Sequence, residues 1–257
     1  MANSEHLALV KNGIDAWNQW RHSFPGYVDL SNADLSGINL RRANLSKTDL
    51  SNANLTHADL SRADLSSAIL SDATLSHANL SEVYLSEAYL SNAVLRDANL
   101  SDAILHGAIL SEACLVECNL GQADMRHANF NRADLTDANL MATNLKHADL
   151  SAANLNLALF RWADLSYANL SHASLVETNL SGTNLLQAVL NQANCQKAVF
   201  SLSHLHGADF SQANLLEAVF LGTDLTTVIC DTAELSRADL TGATLPDAAM
   251  LKAIAHP

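Results

Sequence analysis

A period of five residues runs through this chain and restricts the folds open to it. From Leu30 to Met250 every fifth residue is apolar, which gives 45 consecutive units, and 36 of those residues are Leu. The residue two positions earlier is small, being Ala in 34 units. Asp or Asn often lies between them and Ser usually follows, so the unit reads Ala-(Asp/Asn)-Leu-Ser-X, as in residues 63–67. Self-similarity at a fixed period indicates a repeat architecture.

Neither a helix nor a continuous strand fits this period. On a helix of 3.6 residues per turn, Leu residues five positions apart would spread over all faces. On a continuous strand, successive Leu residues would lie on opposite sides, because five is an odd number. Within one unit, however, an extended tripeptide points the small residue and Leu to the same side. The other two residues must then turn a corner, where Ser suits the turn and a positive φ is expected at the second position. Six of the nine Gly residues occupy that second position: Gly37, Gly107, Gly182, Gly207, Gly222 and Gly242.

These units resemble the pentapeptide repeat family over roughly 220 of the 257 residues. The resemblance implies an all-β solenoid, a right-handed quadrilateral β-helix with about 20 residues per coil, and therefore about 11 coils from the 45 units. At ~4.8 Å per stacked strand the rod would be ~53 Å long. The expected organisation is an N-terminal helical cap and lead-in over residues 1–25, the repeat β-helix over 26–250, and a C-terminal cap or tail over 251–257.

Both ends of the rod are predicted to carry short capping elements. A helix is predicted over residues 4–21, with Asn3 or Ser4 as its N-cap, because apolar residues recur there at helical spacing. The segment 17–21, Trp-Asn-Gln-Trp-Arg, resembles leaders of some bacterial pentapeptide proteins and would cover the first coil. At the other end, Pro246 is expected to start a short helix that caps the rod or packs against a second copy.

The sequence predicts no enzyme, no cofactor and no metal site. Its Gly residues are isolated at corners, and its many Ser residues lack an Asp-His arrangement. Cys118, Cys195 and Cys230 occupy inward positions, whereas Cys114 points outward. In each of two pairs of His, the members are separated by four units and should stack on adjacent coils, but no carboxylate or Cys completes a metal site. These pairs are His57 with His77 and His127 with His147.

The mid-unit Asn residues point to a structural role. One side of the coil carries Asn79, Asn99, Asn119 and Asn139, each separated from the next by four units. Stacked amides at the spacing of adjacent coils can hydrogen-bond to one another. We therefore expect a ladder of side chains along the rod rather than a catalytic array.

The charge and hydropathy of the chain restrict the classes of partner that it can bind and the cellular compartment in which we expect it. The chain has 27 acidic and 14 basic residues, a formal net charge of −13, which argues against direct nucleic-acid binding. No stretch approaches the roughly 20 apolar residues of a membrane span. Residues 1–10 lack the positive charge and long apolar run of a secretory signal. We therefore expect a cytoplasmic protein, and the resemblance of its leader to bacterial family members implies a bacterial one.

A partner would have to contact outward residues, and two apolar groups stand out. If four units make one coil, one side carries an apolar cluster beside an arginine, the composition of an interface hot spot. Asn179, Ser181 and Gly182 should leave a shallow notch within it. The cluster comprises Leu159, Arg161, Trp162, Val199, Leu202, Val219 and Leu221. A second group is Ile69, Tyr89 and Ile109, with Tyr84, Val94, Ile104 and Val116 also expected to point outward.

Two functions of different classes follow from these features. The first is a non-enzymatic interaction or scaffold module, a rigid rod that binds a protein partner through the apolar cluster. A second copy of the chain could instead bind to this cluster or to the C-terminal end of the rod. The second is a DNA mimic that binds gyrase or another topoisomerase, as the quinolone-resistance members of the family do. The window 63–122 has eight acids and one base, a net charge of −7. Duplex DNA of the rod's length would carry ~31 charges, and the acids are spread two per side, so the first function is favoured.

Overall fold

The computed structural model describes residues 2–24 and 26–245. Two helices come first, α1 over Ser4–Lys11 and α2 over Ile14–Ser23. They are followed by two short parallel strands, β1 over Val28–Asp29 and β2 over Thr48–Asp49, and then by single-residue bridges. The predicted helix at Pro246 and the predicted cap at 251–257 lie outside the described residues. None of the helices in the described parts of the chain is long and apolar enough to cross a membrane.

The repeat folds into a β-solenoid whose coils are all of one length. Every bridge is parallel and joins residues 20 apart, from Val28 with Thr48 to Asp224 with Thr244. Since each unit has five residues, four units close one coil, as the family resemblance implied. We call the pair of hydrogen bonds that joins two bridged residues a rung. In a typical rung, Leu110 N–H donates to Asn129 C=O at 2.7 Å, and Asn129 N–H donates to Ala108 C=O at 2.9 Å.

The corner geometry explains the polar residues of the unit. The second corner position has a positive φ in the described units, as at His57 (59°) and Gly182 (68°), with Thr227 as the exception, which confirms the expectation for this position. The mid-unit Asp or Asn accepts a hydrogen bond from the first corner N–H, as Asp49 does from Ser51 at 2.9 Å. Such short-range bonds stabilise turns. The mid-unit residue therefore closes its own corner, a role that the sequence period alone did not reveal.

The core is one continuous column of Leu and Ala side chains. Nearly all of the inward positions are buried, and burying each Leu contributes about 2 kcal/mol. Near the C-terminal end, three Phe residues replace Leu. The rings of Phe200 and Phe220 stack at 5.0 Å, and Phe210 packs edge-on against both, at 5.3 and 6.3 Å.

The single helix predicted over residues 4–21 is wrong, because the chain forms two helices. Gly13 separates them with a φ of 117°, a value that helical residues do not adopt. Asn3 is the N-cap of α1, and its Oδ1 accepts hydrogen bonds from the N–H groups of Glu5 (2.9 Å) and His6 (3.2 Å). Ser4 is the first residue inside α1.

Helix α2 packs on the first coil and pairs with its open backbone edge. Trp17 is fully buried there, and its Nε1 donates to Asn44 C=O at 2.8 Å. The Asn18 amide donates to Arg42 C=O at 3.0 Å and accepts from Asn44 N–H at 2.8 Å. Arg21 donates to Ser46 C=O at 2.7 Å. Side chains of α2 thus form hydrogen bonds with the backbone groups of the first coil that have no preceding coil to pair with. The helix therefore covers the exposed edge of the β-solenoid.

Candidate functional site

Most of the predicted cluster lies on one wall of the coil and on the corner that follows it, which we call the apolar face. Leu159, Val199 and Val219 lie on the wall, and the bridges join Leu159 to Asn179, Asn179 to Val199 and Val199 to Val219. The corner residues are the most exposed, with Trp162 at 60% and Leu202 at 69% of full exposure. Leu159, Arg161 and Leu221 are also exposed, whereas Val199 and Val219 are half-buried.

Trp162 covers the position at which a notch was expected. A Cβ atom at Gly182 would lie 3.1 Å from Trp162 Cδ1, so the indole leans over the corner of the next coil. Leu202 leans in the same way over Gly222, where a Cβ atom would lie 3.2 Å from Leu202 Cδ2. The Arg161 guanidinium lies 4.5 Å from the centre of the Trp162 ring. The notch is therefore filled, and each of these two large corner side chains has a Gly one coil further along that makes room for it.

Leu157 belongs to the apolar face, although the sequence analysis did not select it. It occupies the corner that precedes Leu159 and is 46% exposed. The signal was present in the sequence, because the second corner position is mostly polar or Gly in the other units. On this one coil, Leu157, Leu159 and Trp162 project outward around a single wall.

Two cavities adjoin the apolar face, one toward the N-terminal end of the rod on the same wall and one around the corner on the next wall of the coil. The first, of about 340 Å³, is lined by Trp162, Met141, Ala142 and Gly121, next to the Asn ladder. The second, of about 510 Å³, is lined on one side by Leu202 and Gly222 of the apolar face. A raised apolar surface between two depressions can engage a partner of complementary shape.

The second cavity coincides with an interruption of the backbone ladder. In the described part of the chain around it, His204 and Asp224 form no bridge, although Asn184 with His204 and Asp224 with Thr244 do. Leu205 N–H and Asp224 N–H make no backbone hydrogen bond, and Gly207 N–H donates to Thr227 Oγ1 at 3.1 Å instead of to a backbone carbonyl. One rung between two adjacent coils is therefore open.

The open rung predicts a local change in hydrogen exchange. The amide protons of Leu205 and Asp224 should exchange with deuterium at least about 100-fold faster than that of Leu185, because hydrogen-bonded core amides exchange only on opening. Leu185 N–H donates to His204 C=O at 2.8 Å one coil earlier and is the matched control. Exchange measured by NMR at single residues tests this, and equal protection at all three amides would contradict it.

The second apolar group is smaller and more dispersed. Ile69, Tyr89 and Ile109 are bridged to one another on one wall, and Tyr89 is 48% exposed. Tyr84 and Val94 are also exposed, but they lie on two other walls. Val116 was expected to point outward and is buried at 7% exposure, so this expectation is wrong.

The His pairs stack as their spacing predicts. The ring centres are 4.9 Å apart for His57 and His77, and 5.0 Å apart for His127 and His147, a stack that continues to Tyr167 at 4.9 Å. Across residues 2–24 and 26–245, no group of three or more His, Cys, Asp or Glu side chains is arranged to hold a metal ion. Stacking accounts for the geometry of these residues.

The Asn side chains form the predicted ladder. Asn139 Nδ2 donates to Asn119 Oδ1 at 2.9 Å, Asn119 donates to Asn99 at 3.0 Å, and Asn99 donates to Asn79 at 3.5 Å. The ladder ends where Leu159 takes the next position on the same wall. This wall thus changes from amides to apolar side chains at the start of the apolar face.

The cysteines have the environment of core residues. Cys118 and Cys195 are buried as expected, and Cys118 donates from Sγ to Leu95 C=O. Burial raises the pKa of the Cys118 thiol to about 12 and also raises the pKa of Cys195. Cys114 and Cys230 are half-buried, so the inward position expected for Cys230 is only partly shielded. A thiol with a raised pKa is a poor nucleophile.

Three of the eight acidic residues in the window 63–122 are paired with arginine, and a fourth has a His neighbour that is charged only when protonated. This pairing reduces the negative potential that a mimic of DNA would need to present. The pairs are Glu82 with Arg62 at 2.7 Å, Asp97 with His77 at 3.8 Å, Glu112 with Arg132 at 3.8 Å and Glu117 with Arg96 at 3.6 Å.

Comparisons with known proteins agree with the repeat. A family model described as pentapeptide repeats matches overlapping segments from residue 27 to residue 242. HetL, a pentapeptide repeat protein involved in heterocyst differentiation regulation in the cyanobacterium Nostoc, is 36% identical, with 89% of this chain and 96% of HetL covered and a TM-score of 0.43. QnrB1, a plasmid-mediated fluoroquinolone resistance protein, is 19% identical, with 79% and 87% covered and a TM-score of 0.39. No curated protein matches the chain.

Proposed function

Because this chain belongs to the pentapeptide repeat family, we propose that it is a non-enzymatic scaffold that binds a protein partner through the apolar face. The repeats use Ala and Leu to build the interior, which leaves recognition to the outward side chains. The rod holds those side chains at fixed spacing, so little conformational entropy is lost on binding.

The exposure of Trp162 among other apolar side chains carries this proposal. Trp and Arg are enriched at interface hot spots, and here Arg161 lies over the indole of Trp162. Scattered exposed apolar residues need no explanation, but a one-sided cluster spanning several coils indicates an interaction surface. The second group, around Tyr89, has fewer exposed apolar residues on one wall and is the weaker candidate.

The net charge of −13 favours a partner with a basic surface around an apolar centre. Electrostatic attraction would raise the association rate and select among partners, whereas the apolar contact would supply the affinity. Binding should therefore persist at raised salt. A DNA mimic would instead bind mainly through charge and would release its target as salt increases.

Changing the apolar face should abolish partner capture. A variant with Trp162→Ser, Leu202→Ser and Leu221→Ser should lose the partner that the wild-type rod retains from a lysate of its own cells, identified by mass spectrometry. Truncating a hot-spot residue typically costs at least about 2 kcal/mol, roughly a 30-fold loss of affinity, and three such changes leave no detectable complex. The direct binding constant of the identified partner then gives the magnitude.

A matched variant separates the two apolar groups. Ile69→Ser, Tyr89→Ser and Ile109→Ser make the same number of changes to serine at apolar residues of another wall, and this variant should keep the partner. Loss of capture in this variant alone would move the site to the second group. Gyrase captured by both variants, together with inhibition of supercoiling, would favour the DNA mimic, and a wild-type rod that is dimeric while the first variant is monomeric would favour self-association.

A further inference from the structure

We infer that the opening in the wall beside Leu202 is an anchor pocket for an arginine side chain of the protein bound on the apolar face. This inference rests on the proposed function, because the pocket and the apolar face share Leu202 and Gly222. The cavity of about 510 Å³ falls within the range of pockets that enclose small ligands or side chains. The pocket lies on the next wall of the coil, just past the corner that carries Leu202, so a segment that crosses the apolar face in that direction reaches it next.

The open rung supplies hydrogen-bond acceptors that a regular coil does not offer. Elsewhere on this wall the mid-unit N–H donates to a carbonyl of the preceding coil, as Asn184 N–H does to Ala163 C=O at 3.0 Å. At the opening, the carbonyl groups of Ser203 and Asp224 receive no backbone N–H from any residue that the structure describes. An unpaired carbonyl that a bound molecule shields from water costs free energy unless that molecule donates to it.

The charge of the pocket also selects a cation. Among the described residues that line it, Asp224 is the only acidic one, and Ser203, His204, His206 and Thr227 are its polar neighbours. The N–H of Thr226 donates to Asp224 Oδ1 at 2.9 Å, and the hydrogen bonds from Thr226 lower the pKa of this carboxyl, so it is ionised at neutral pH. The pocket therefore presents one carboxylate and two free carbonyls.

Guanidinium fits this set better than a compact ammonium. It is planar, carries five N–H donors and can bond a carboxylate and neighbouring carbonyls at the same time. Its aliphatic stem would pack on Leu202, which is the most exposed large apolar side chain of the apolar face at 69%. The N–H groups of Leu205 and Asp224 are left to water or to a main-chain carbonyl of the bound segment.

The pocket can be tested without the partner by titrating the folded protein with Nα-acetyl-arginine amide and following backbone amides by NMR. Saturable shifts at Leu205, Gly207 and Thr227 are expected, with a dissociation constant on the order of millimolar for one side chain. The citrulline analogue has the same shape without the charge and should bind at least tenfold more weakly.

Asp224→Asn is the matched variant, because Asn occupies the mid-unit position in many coils and can accept the same corner hydrogen bond. It should weaken arginine binding at least tenfold and leave the spectrum of distant coils unchanged. Equal binding of the citrulline analogue, equal binding by Asp224→Asn, or no saturable shift would overturn the inference. Trp162→Ser should leave the titration unchanged, so failure of the pocket is distinguished from failure of the apolar face.

Discussion

Replacing Trp17 by Ala should lower the free energy of unfolding by about 3–5 kcal/mol, the cost of emptying a fully buried aromatic site. Trp17 is completely shielded from solvent where α2 covers the first coil, and its Nε1 donates to Asn44 C=O at 2.8 Å. The substitution removes both the apolar contact and this hydrogen bond. Urea or thermal unfolding followed by circular dichroism measures the loss.

Trp162→Ala is the matched control for this experiment, since it makes the same substitution on the surface. Trp162 is 60% exposed, so its replacement should change stability by no more than about 0.5 kcal/mol. Trp17→Ala should also expose the backbone edge of the first coil and promote end-to-end association, which size-exclusion chromatography detects. Equal stability losses in the two variants would contradict a capping role for α2.

The interior of this protein could be predicted from sequence because the five-residue period and the geometry of an extended backbone both place the Ala and Leu side chains on the same side. An odd period excludes regular helices and strands, and the spacing between Ala and Leu leaves only an extended segment and a corner. The coil length could not be derived in this way and came from the family resemblance. The break at Gly13 was missed because the apolar spacing on either side of it continues the helical pattern.

The candidate site was only partly accessible from sequence, for reasons that lie in how coils stack. Outward positions follow from the unit, so Trp162 and Leu202 could be named. The direction in which a corner side chain leans depends on the residues of the next coil. The packing of Trp162 over Gly182 could therefore not be predicted from the sequence. The open rung between His204 and Asp224 does not interrupt the five-residue period, so the period alone could not reveal it, although His204 and Thr227 beside it depart from the usual unit.

Phe210→Ala should destabilise the C-terminal coils and leave the rest of the rod protected. Phe210 is buried with its ring edge-on to the stacked rings of Phe200 and Phe220, and emptying this site should cost about 3–5 kcal/mol. In a solenoid each coil contacts only its neighbours, so the loss is felt nearby rather than shared by the whole chain. Hydrogen exchange should show reduced protection beyond about residue 190 and little change over residues 50–150.

Phe210→Leu is the conservative counterpart, because Leu occupies the equivalent position in 36 of the 45 units. It should retain most of the stability that Phe210→Ala loses, since it fills much of the same volume with the residue that suits a regular coil. A similar loss of protection along the entire rod in Phe210→Ala would show that the coils unfold as a single unit. Loss confined to the C-terminal coils would instead show that these coils, which include the open rung, unfold independently of the rest of the rod.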